Sequence, residues 1–555
     1  MQMLTGSQKA RLAIREFKAI TDAMGIRGFY RPAGRFGKSL EGCLKTLSPE
    51  IYGSMNDPRI VELKGLEYVI DRLPIGIEEC SKIILTEEDQ FDDTLFKEII
   101  PLKRRRKSYR ISKNELCFIV SRGLSEIYDI ITHMVFLNIE AKKIHRRMHD
   151  DLGNYTAEWK TLEKIIQQGE NLDLHDLDSA IWNLSIVLGR SYHETRETFD
   201  YLENTRRKHC SNCGLFNIIY NLGKKIERER QSPDDGQIVY LTPSLMSIIG
   251  QQKYGSIWAD TIKSQIKEED EERPLHIVSS NLHSVLNVIY GYAALEETPE
   301  SVKDESLWNF FNRIKENRQK ILEFARTRGL IEVPDESGTN IDCQLIDTSH
   351  FGTMDFHPGL NFDAEHIRKV QPMILVIDYA FGTQAFELME TLLKPYRNRK
   401  VPVGSISIMG KAGILDGSKG DIMLATAHVC EGYSDNYIVT NDISQKDFDP
   451  DVNVFTGTMA TVVGTSLQNR DVLEMFRDKW NAVGLEMEGG HYQKAINAAI
   501  IKRYIPKSIK TRYAYYASDN PLETGSTLAA GALGKEGIKP TYMITKIILE
   551  KILGV

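Results

Sequence analysis

Residues 484–492 read Gly-Leu-Glu-Met-Glu-Gly-Gly-His-Tyr, and the way this stretch folds decides what the C-terminal part of the chain is. Upstream, Ala482-Val483-Gly484-Leu485 is apolar; downstream, His491 opens the helical pattern HYQKAINAAIIKRY. A strand running into a helix fits both sides. On a surface helix, carboxylates fall three or four residues apart. On a strand, alternate residues share a face, so Glu486 and Glu488 would point the same way. Gly489 and Gly490 would then let something approach the backbone closely. Two carboxylates and two glycines at a strand end read as the mouth of a site.

Working outward, the chain from about Gln371 alternates short β runs with helices. MILVIDYAF is a buried-strand run followed by the helix QAFELMETLL. VGSISIMG, DIMLATA, NYIVTND and VNVFTGTMATVV are strand candidates, RDVLEMFRDKW a helix, RYAYYASD the last strand and PTYMITKIILEKIL the closing helix. Such alternation predicts an α/β domain over 371–555, a central mixed sheet flanked by helices. Ligands of such sheets sit beyond the carboxyl ends of strands, where GLEMEGG falls. Residues 336–370, rich in Asp, Gly, Thr and Pro, read as a linker or cap.

Before residue 336 the dominant period is helical. The stretches starting at Asn114, Leu174 and Asn281 carry apolar residues at three- and four-residue intervals, and Ser306–Gly329 reads as one long helix. The expectation for 1–335 is a large all-α region of unstated role, with KEEDEERP from Lys267 as a loop. A chain of 555 residues calls for two or three domains. A net charge of −7 gives no general case for nucleic acid, and no apolar stretch reaches the length that spans a bilayer. Seven scattered cysteines and an N-terminus without an apolar core predict reduced thiols and a cytoplasmic protein.

Three segments of the last third carry chemistry. In Ser407–Asp421 a strand runs into Gly410-Lys411-Ala412-Gly413; glycines there free N–H groups to face an anion, and Lys411 adds charge. The bland alternative is a turn with a solvated lysine. In GLEMEGG, a carboxylate at a strand end accepts hydrogen bonds from vicinal hydroxyls, and Met487 packs under a sugar ring. The alternative is an edge strand with solvated glutamates. In Tyr513–Pro521 a β run ends in Ser518-Asp519-Asn520-Pro521, where Asp519 is either a turn former or a partly desolvated proton donor.

Taken in order, these segments resemble the nucleoside phosphorylase and nucleosidase superfamily, in a form near AMP nucleosidase. The residues that carry the resemblance are GKAG, Gly420-Asp421, Met487-Glu488-Gly489 and Ser518-Asp519, over roughly 371–555. The resemblance implies that Glu488 holds ribose hydroxyls and that Met487 lines the sugar, with Glu486 beside them. It implies that Asp519, next to Ser518, donates to N7 of a purine. The Gly410–Gly413 turn would face the sugar or a phosphate. Cleaving an N-glycosidic bond puts positive charge on the sugar and negative charge on the base, so an acceptor at the hydroxyls and a donor at the base both speed it.

The expected activity is hydrolysis, giving free base and ribose or ribose 5-phosphate, without cofactor or metal, in a homo-oligomer. Lys411 departs from the family's small or polar residue and would either bind a 5′-phosphate or block free phosphate. The arginine cluster that phosphorylases use for inorganic phosphate is not found; Arg470 and Arg512 are candidates without a place in the pattern. Asp378, ending the first strand of the domain, is the candidate to activate water, and His491 and Tyr492 adjoin the motif. The alternatives are a phosphate-dependent phosphorylase and a non-catalytic nucleotide sensor. Other signals are weaker. GRFGKSL from Gly34 fails the P-loop spacing, because Pro32 stands where its first glycine belongs. Cys210 and Cys213 have a zinc-like spacing without a second pair. Lys103–Lys107 and His145–His149 are basic runs that read as solvated faces or as contacts for phosphate-rich partners.

Overall fold

The computed structural model describes residues 4–91, 94–104, 106–169, 174–232, 236–245, 253–266, 272–397, 399–432, 435–523 and 534–554. The chain divides into two compact units, 1–251 with 466–472, and 252–465 with 473–555. The expected boundary near residue 336 is therefore too late, and KEEDEERP from Lys267 lies mostly outside the described residues.

The first unit is not all-helical. It holds a six-stranded sheet in the order β1 (Phe29–Tyr30), β6 (Ile238–Leu241), β2 (Lys82–Thr86), β5 (Glu115–Ile119), β4 (Ser108–Ser112) and β3 (Lys97–Glu98). β2 is parallel to both β5 and β6. The helical reading from Asn114 fails over its first residues, where ELCFI is β5 and only Gly123–Arg147 is helix. A strand covered on both faces has a continuous apolar run, and over five residues that run carries no period to separate strand from helix. In the basic run Lys103 is exposed, as a solvated face requires, but Arg106 is not. Arg106 is 2% exposed and pairs with the buried Asp129 and, at 3.4 Å, with Glu126. In the second basic run, Arg147 donates to the carbonyls of Val187 at 2.7 Å and Arg59 at 2.9 Å.

The second unit is built on a ten-stranded mixed sheet that begins well before Gln371. β7 (Leu275–Ser279) lies at its centre, parallel to β10 (Met373–Ile377) on one side and to β11 (Val403–Ile414) on the other. β9 (Cys343–Asp347) and β8 (Leu330–Val333) continue the sheet beyond β10, so the expected linker contributes a strand. Ser306–Gly329 forms two helices, Leu307–Ile314 and Arg318–Arg326, joined by a tight turn. On its other side β11 joins a closed ring. It pairs with β16 (Lys510–Asp519), β16 with β12 (Ile422–Cys430), β12 with β14 (Val454–Thr461), β14 with β15 (Ala482–Glu486), and β15 again with β11.

Both faces of the open part are covered, which is why MILVI is apolar throughout. Met373, Leu375 and Ile377 pack with the helices Lys253–Ser264, Gln384–Leu393 and Gly489–Ile501. Ile374 and Val376 pack with Leu282–Ala294, Leu307–Ile314 and Ile538–Leu553 on the opposite face. The chain leaving β7 thus enters a helix on one face, and the chain leaving β10 enters a helix on the other. Neighbouring parallel strands with opposite exits leave a crevice at their carboxyl ends.

Candidate active site

The crevice gathers residues from loops far apart in sequence. After β10, Asp378 accepts its neighbour Tyr379's N–H at 2.8 Å, and the chain turns through Gly382 at φ +56° before the Gln384 helix. The Gly382 N–H donates to Glu488 Oε1 at 2.8 Å. Glu488 is half-buried, so its carboxylate is oriented by backbone while it still meets solvent. After β7, Asn281 caps the Leu282 helix by accepting the Ser284 N–H at 2.8 Å. The Tyr492 hydroxyl lies 3.1 Å from Ser279 Oγ, tying the Glu488 helix to the end of β7.

The two glutamates do not share a face. β15 ends at Glu486, and Glu488 is the N-cap residue of the Gly489–Ile501 helix. Glu486 is 6% exposed and accepts N–H groups of Glu488, at 2.6 Å, and Gly489, with the Thr461 hydroxyl at 2.5 Å. His428 Nδ1 stands 3.4 Å from it, farther than in a well-formed hydrogen bond. Burial drives the Glu486 pKa up, but His428, the Gly489 amide and Thr461 outweigh it, and the net shift is downward from 4.5. Glu486 is therefore a buried carboxylate that fixes the helix start, not a group facing a ligand. The glycines have the same duty. A Cβ on Gly489 would overlap the Tyr515 hydroxyl and the His428 ring, and one on Gly490 would crowd Thr461 and Cys430. They bring the helix close to the sheet. Met487 is buried beside them at 8% exposure.

Asp519 ends β16. Gly413 pairs with Leu485 on one side and Asp519 on the other, so Asp519 lies two strand spacings, about 10 Å, from the strand that leads to Glu488. Its Oδ1 accepts the Ser518 hydroxyl at 2.5 Å; among the described residues its buried Oδ2 meets no hydrogen-bond donor. Burial raises its pKa above 3.8, against the Ser518 bond and the charge of Lys411. Burial thus favours the protonated form of this carboxyl more than solvent would. The Ala412 carbonyl, 3.2 Å away, is the alternative acceptor for the same Ser518 proton.

GKAG is not a turn. It lies inside β11, paired with β16 through Gly413, and neither Gly410 nor Gly413 has positive φ. Its amides serve the sheet rather than an anion. Gly410 instead backs the Tyr379 ring, which a Cβ would meet at 3.5 Å. Lys411 is exposed. The turn that does precede a strand is Gly420-Asp421, with Gly420 at φ +93° and Asp421 accepting the Ser418 N–H at 2.8 Å. Arg512 sits at the far end of β16, bonded to Asp442 at 2.9 Å and Ser405 at 2.8 Å. Arg470 belongs to the first unit. His491 is half-buried with its pKa down to about 4, chiefly through burial. Among the described residues no group of three or more His, Cys, Asp or Glu forms a metal site, and the seven cysteines are free. No described helix is long and apolar enough to cross a membrane.

Tyr379, Gly382, Asn281, His283 and His428 escaped the sequence reading. Four of the five follow β7 or β10, and recognising HIVSS as a strand would have pointed to Asn281 and His283.

The model of a family of unknown function, DUF6909, matches residues 38–304 and 305–554. The chain belongs to that family. No curated protein matches it in sequence. Among solved structures, this DUF6909 member is similar to the 5′-methylthioadenosine/S-adenosyl homocysteine nucleosidase of Campylobacter jejuni, at 11% identity and a TM-score of 0.31, over 51% of this chain and 100% of that one. It is similar to futalosine hydrolase of Helicobacter pylori at 12% identity and a TM-score of 0.30, over 50% and 98%. It is similar to purine nucleoside phosphorylase of Toxoplasma gondii at 14% identity and a TM-score of 0.29, over 52% and 94%.

Proposed function

We propose that the second unit hydrolyses the N-glycosidic bond of a purine nucleoside or nucleotide, in the manner of an AMP nucleosidase, releasing free base and ribose or ribose 5-phosphate. The observation that carries this reading is Asp519, a buried carboxyl with a raised pKa and one oxygen that meets no donor among the described residues, across β11 from the strand that leads to Glu488. In this reading Asp519 donates to N7 of the departing purine, as electrons of the broken bond flow into the ring. Glu488, held by Gly382, accepts the ribose hydroxyls and favours the cationic sugar. Met487 supports the sugar. The enzyme works as a cytoplasmic homo-oligomer without cofactor.

Water is favoured over phosphate as the acceptor by the fate of the arginines. Arg512 is committed to Asp442 and lies seven residues, about 23 Å, from Asp519 along β16. The reading is tested by incubating the full chain with AMP, adenosine, inosine and guanosine, with and without phosphate, and separating the products. Free base with unphosphorylated C1 supports it. Ribose 1-phosphate formed only with phosphate would replace it by a phosphorylase, and tight nucleotide binding without turnover by a sensor.

A further inference from the structure

Attack by water needs a base, and the two carboxylates above are occupied. Glu488 serves the sugar and Asp519 must carry a proton. We infer that His283 and Asp378 activate the water together, His283 taking the proton and the Asp378 charge stabilising the imidazolium that results. This rests on the N-glycosidase reading of the site.

The placement follows from the strand ends. Ser279 and Ile377 are in register in β7 and β10, and the Ser280 N–H donates to the Ile377 carbonyl at 2.9 Å. The two chains therefore leave the sheet side by side. One carries Asp378 at its first step; the other carries His283 in the first turn of its helix. The loop that follows Asp378 also supplies the Gly382 N–H to Glu488, and Ser279 holds Tyr492 of the Glu488 helix. The sugar-binding carboxylate and the His283–Asp378 pair thus border the same two strand ends.

The charges suit the role. Burial and then Arg318 hold the His283 pKa below 6.5, while Asp378 pulls it up. His283 is neutral at pH 7 and able to accept a proton, though its residue remains exposed at the crevice rim. Asp378 is half-buried, its Oδ1 fixed by the Tyr379 N–H; its charge reaches the Tyr492 hydroxyl and the Cys343 thiol, both held protonated by burial. Once His283 is protonated, the Asp378 carboxylate stabilises the imidazolium. The step balances. The water oxygen bonds to C1′ as C1′–N9 breaks, the bonding pair passes to the base, the water proton goes to His283, and the Asp519 proton goes to N7. Solvent then returns one proton from His283 to Asp519.

The test compares His283→Ala, Asp378→Asn and the double variant in the full chain, with kcat over pH, nucleoside affinity by calorimetry, and imidazole added to His283→Ala. His283→Ala should lose about 10²–10⁴-fold in kcat with little change in affinity, lose the acid limb of the wild-type profile, and recover rate with imidazole. The double variant should fall well short of the product of the single losses. Wild-type kcat in His283→Ala, absence of imidazole rescue, or multiplicative losses would overturn the inference while leaving the N-glycosidase intact. Absence of base release from the wild type would overturn the reading beneath it.

Discussion

Replacing Glu486 by Gln tests whether this buried carboxylate, and not a ligand, explains the first acid of GLEMEGG. The side chains are isosteric, so the change removes charge and one acceptor. With its oxygen toward the Glu488 and Gly489 amides, the new NH2 faces Thr461, whose oxygen already accepts the Gly490 N–H at 3.0 Å. The Thr461 proton then has no acceptor, and His428 loses the carboxylate 3.4 Å away. A hydrogen bond to a charged group contributes about 1.5–3 kcal/mol, and the three bonds to Glu486 all lose the charge here. A loss of about 3 kcal/mol is expected, or about 150-fold in local opening. Hydrogen exchange over the peptide that spans 482–495 reads it directly, with urea unfolding of the full chain alongside. The pH dependence has a definite sign. The folded pKa lies below 4.5, so this stabilisation is present above 4.5 and lost as pH falls through the folded value. The gap between wild type and variant should therefore be full at pH 7 and shrink in acid. Equal protection in the two proteins at pH 7 would refute the capping role.

Gly489→Ala should destabilise by about 1–3 kcal/mol, because its Cβ meets the Tyr515 hydroxyl and His428; displacing Glu488 should also lower kcat/KM by about 10²-fold, read by steady-state kinetics. Glu488→Gln keeps an acceptor for Gly382 but loses the charge that meets the cationic sugar, so kcat/KM should fall about 10²–10³-fold while the unfolding midpoint holds. In the first unit, Arg106→Ala removes the cation shared by the buried Asp129 and Glu126; Arg104 stays 3.4 Å from Asp129, so the cost should lie at the low end of about 3–5 kcal/mol by chemical denaturation. Because burial raises the Asp519 pKa, wild-type activity should fall as pH rises through that value, where the donor loses its proton.

The α/β character of 371–555 was legible because MILVI, the β16 run and the helices between them are long and follow one pattern each. Asp519 was legible for a different reason: a β run ending in Ser-Asp-Asn-Pro sets an acid at a strand end whatever the tertiary context. The misreadings share a cause. β7 and β5 are five-residue runs next to amphipathic helices, and too short for a period of two to separate from one of 3.6. Missing β7 hid the switch point, and with it Asn281 and His283. GKAG read as an anion-binding turn because glycines permit one. Their cross-strand partners in β15 and β16, distant in sequence, decide that the segment stays extended. The pairing of Glu486 with His428 likewise joins β15 to β12, which no local pattern announces.

The most direct test of the central claim is base release by the full chain beside its Asp519→Asn variant. In the folded protein the Asp519 carboxylate is disfavoured, so the neutral isostere should be no less stable at neutral pH, and a loss of rate would report chemistry. The account predicts free purine from at least one of AMP, adenosine, inosine and guanosine, and a rate about 10²–10⁴-fold lower in the variant. Equal rates in the two proteins, or no base from the wild type with any of the four, would contradict it.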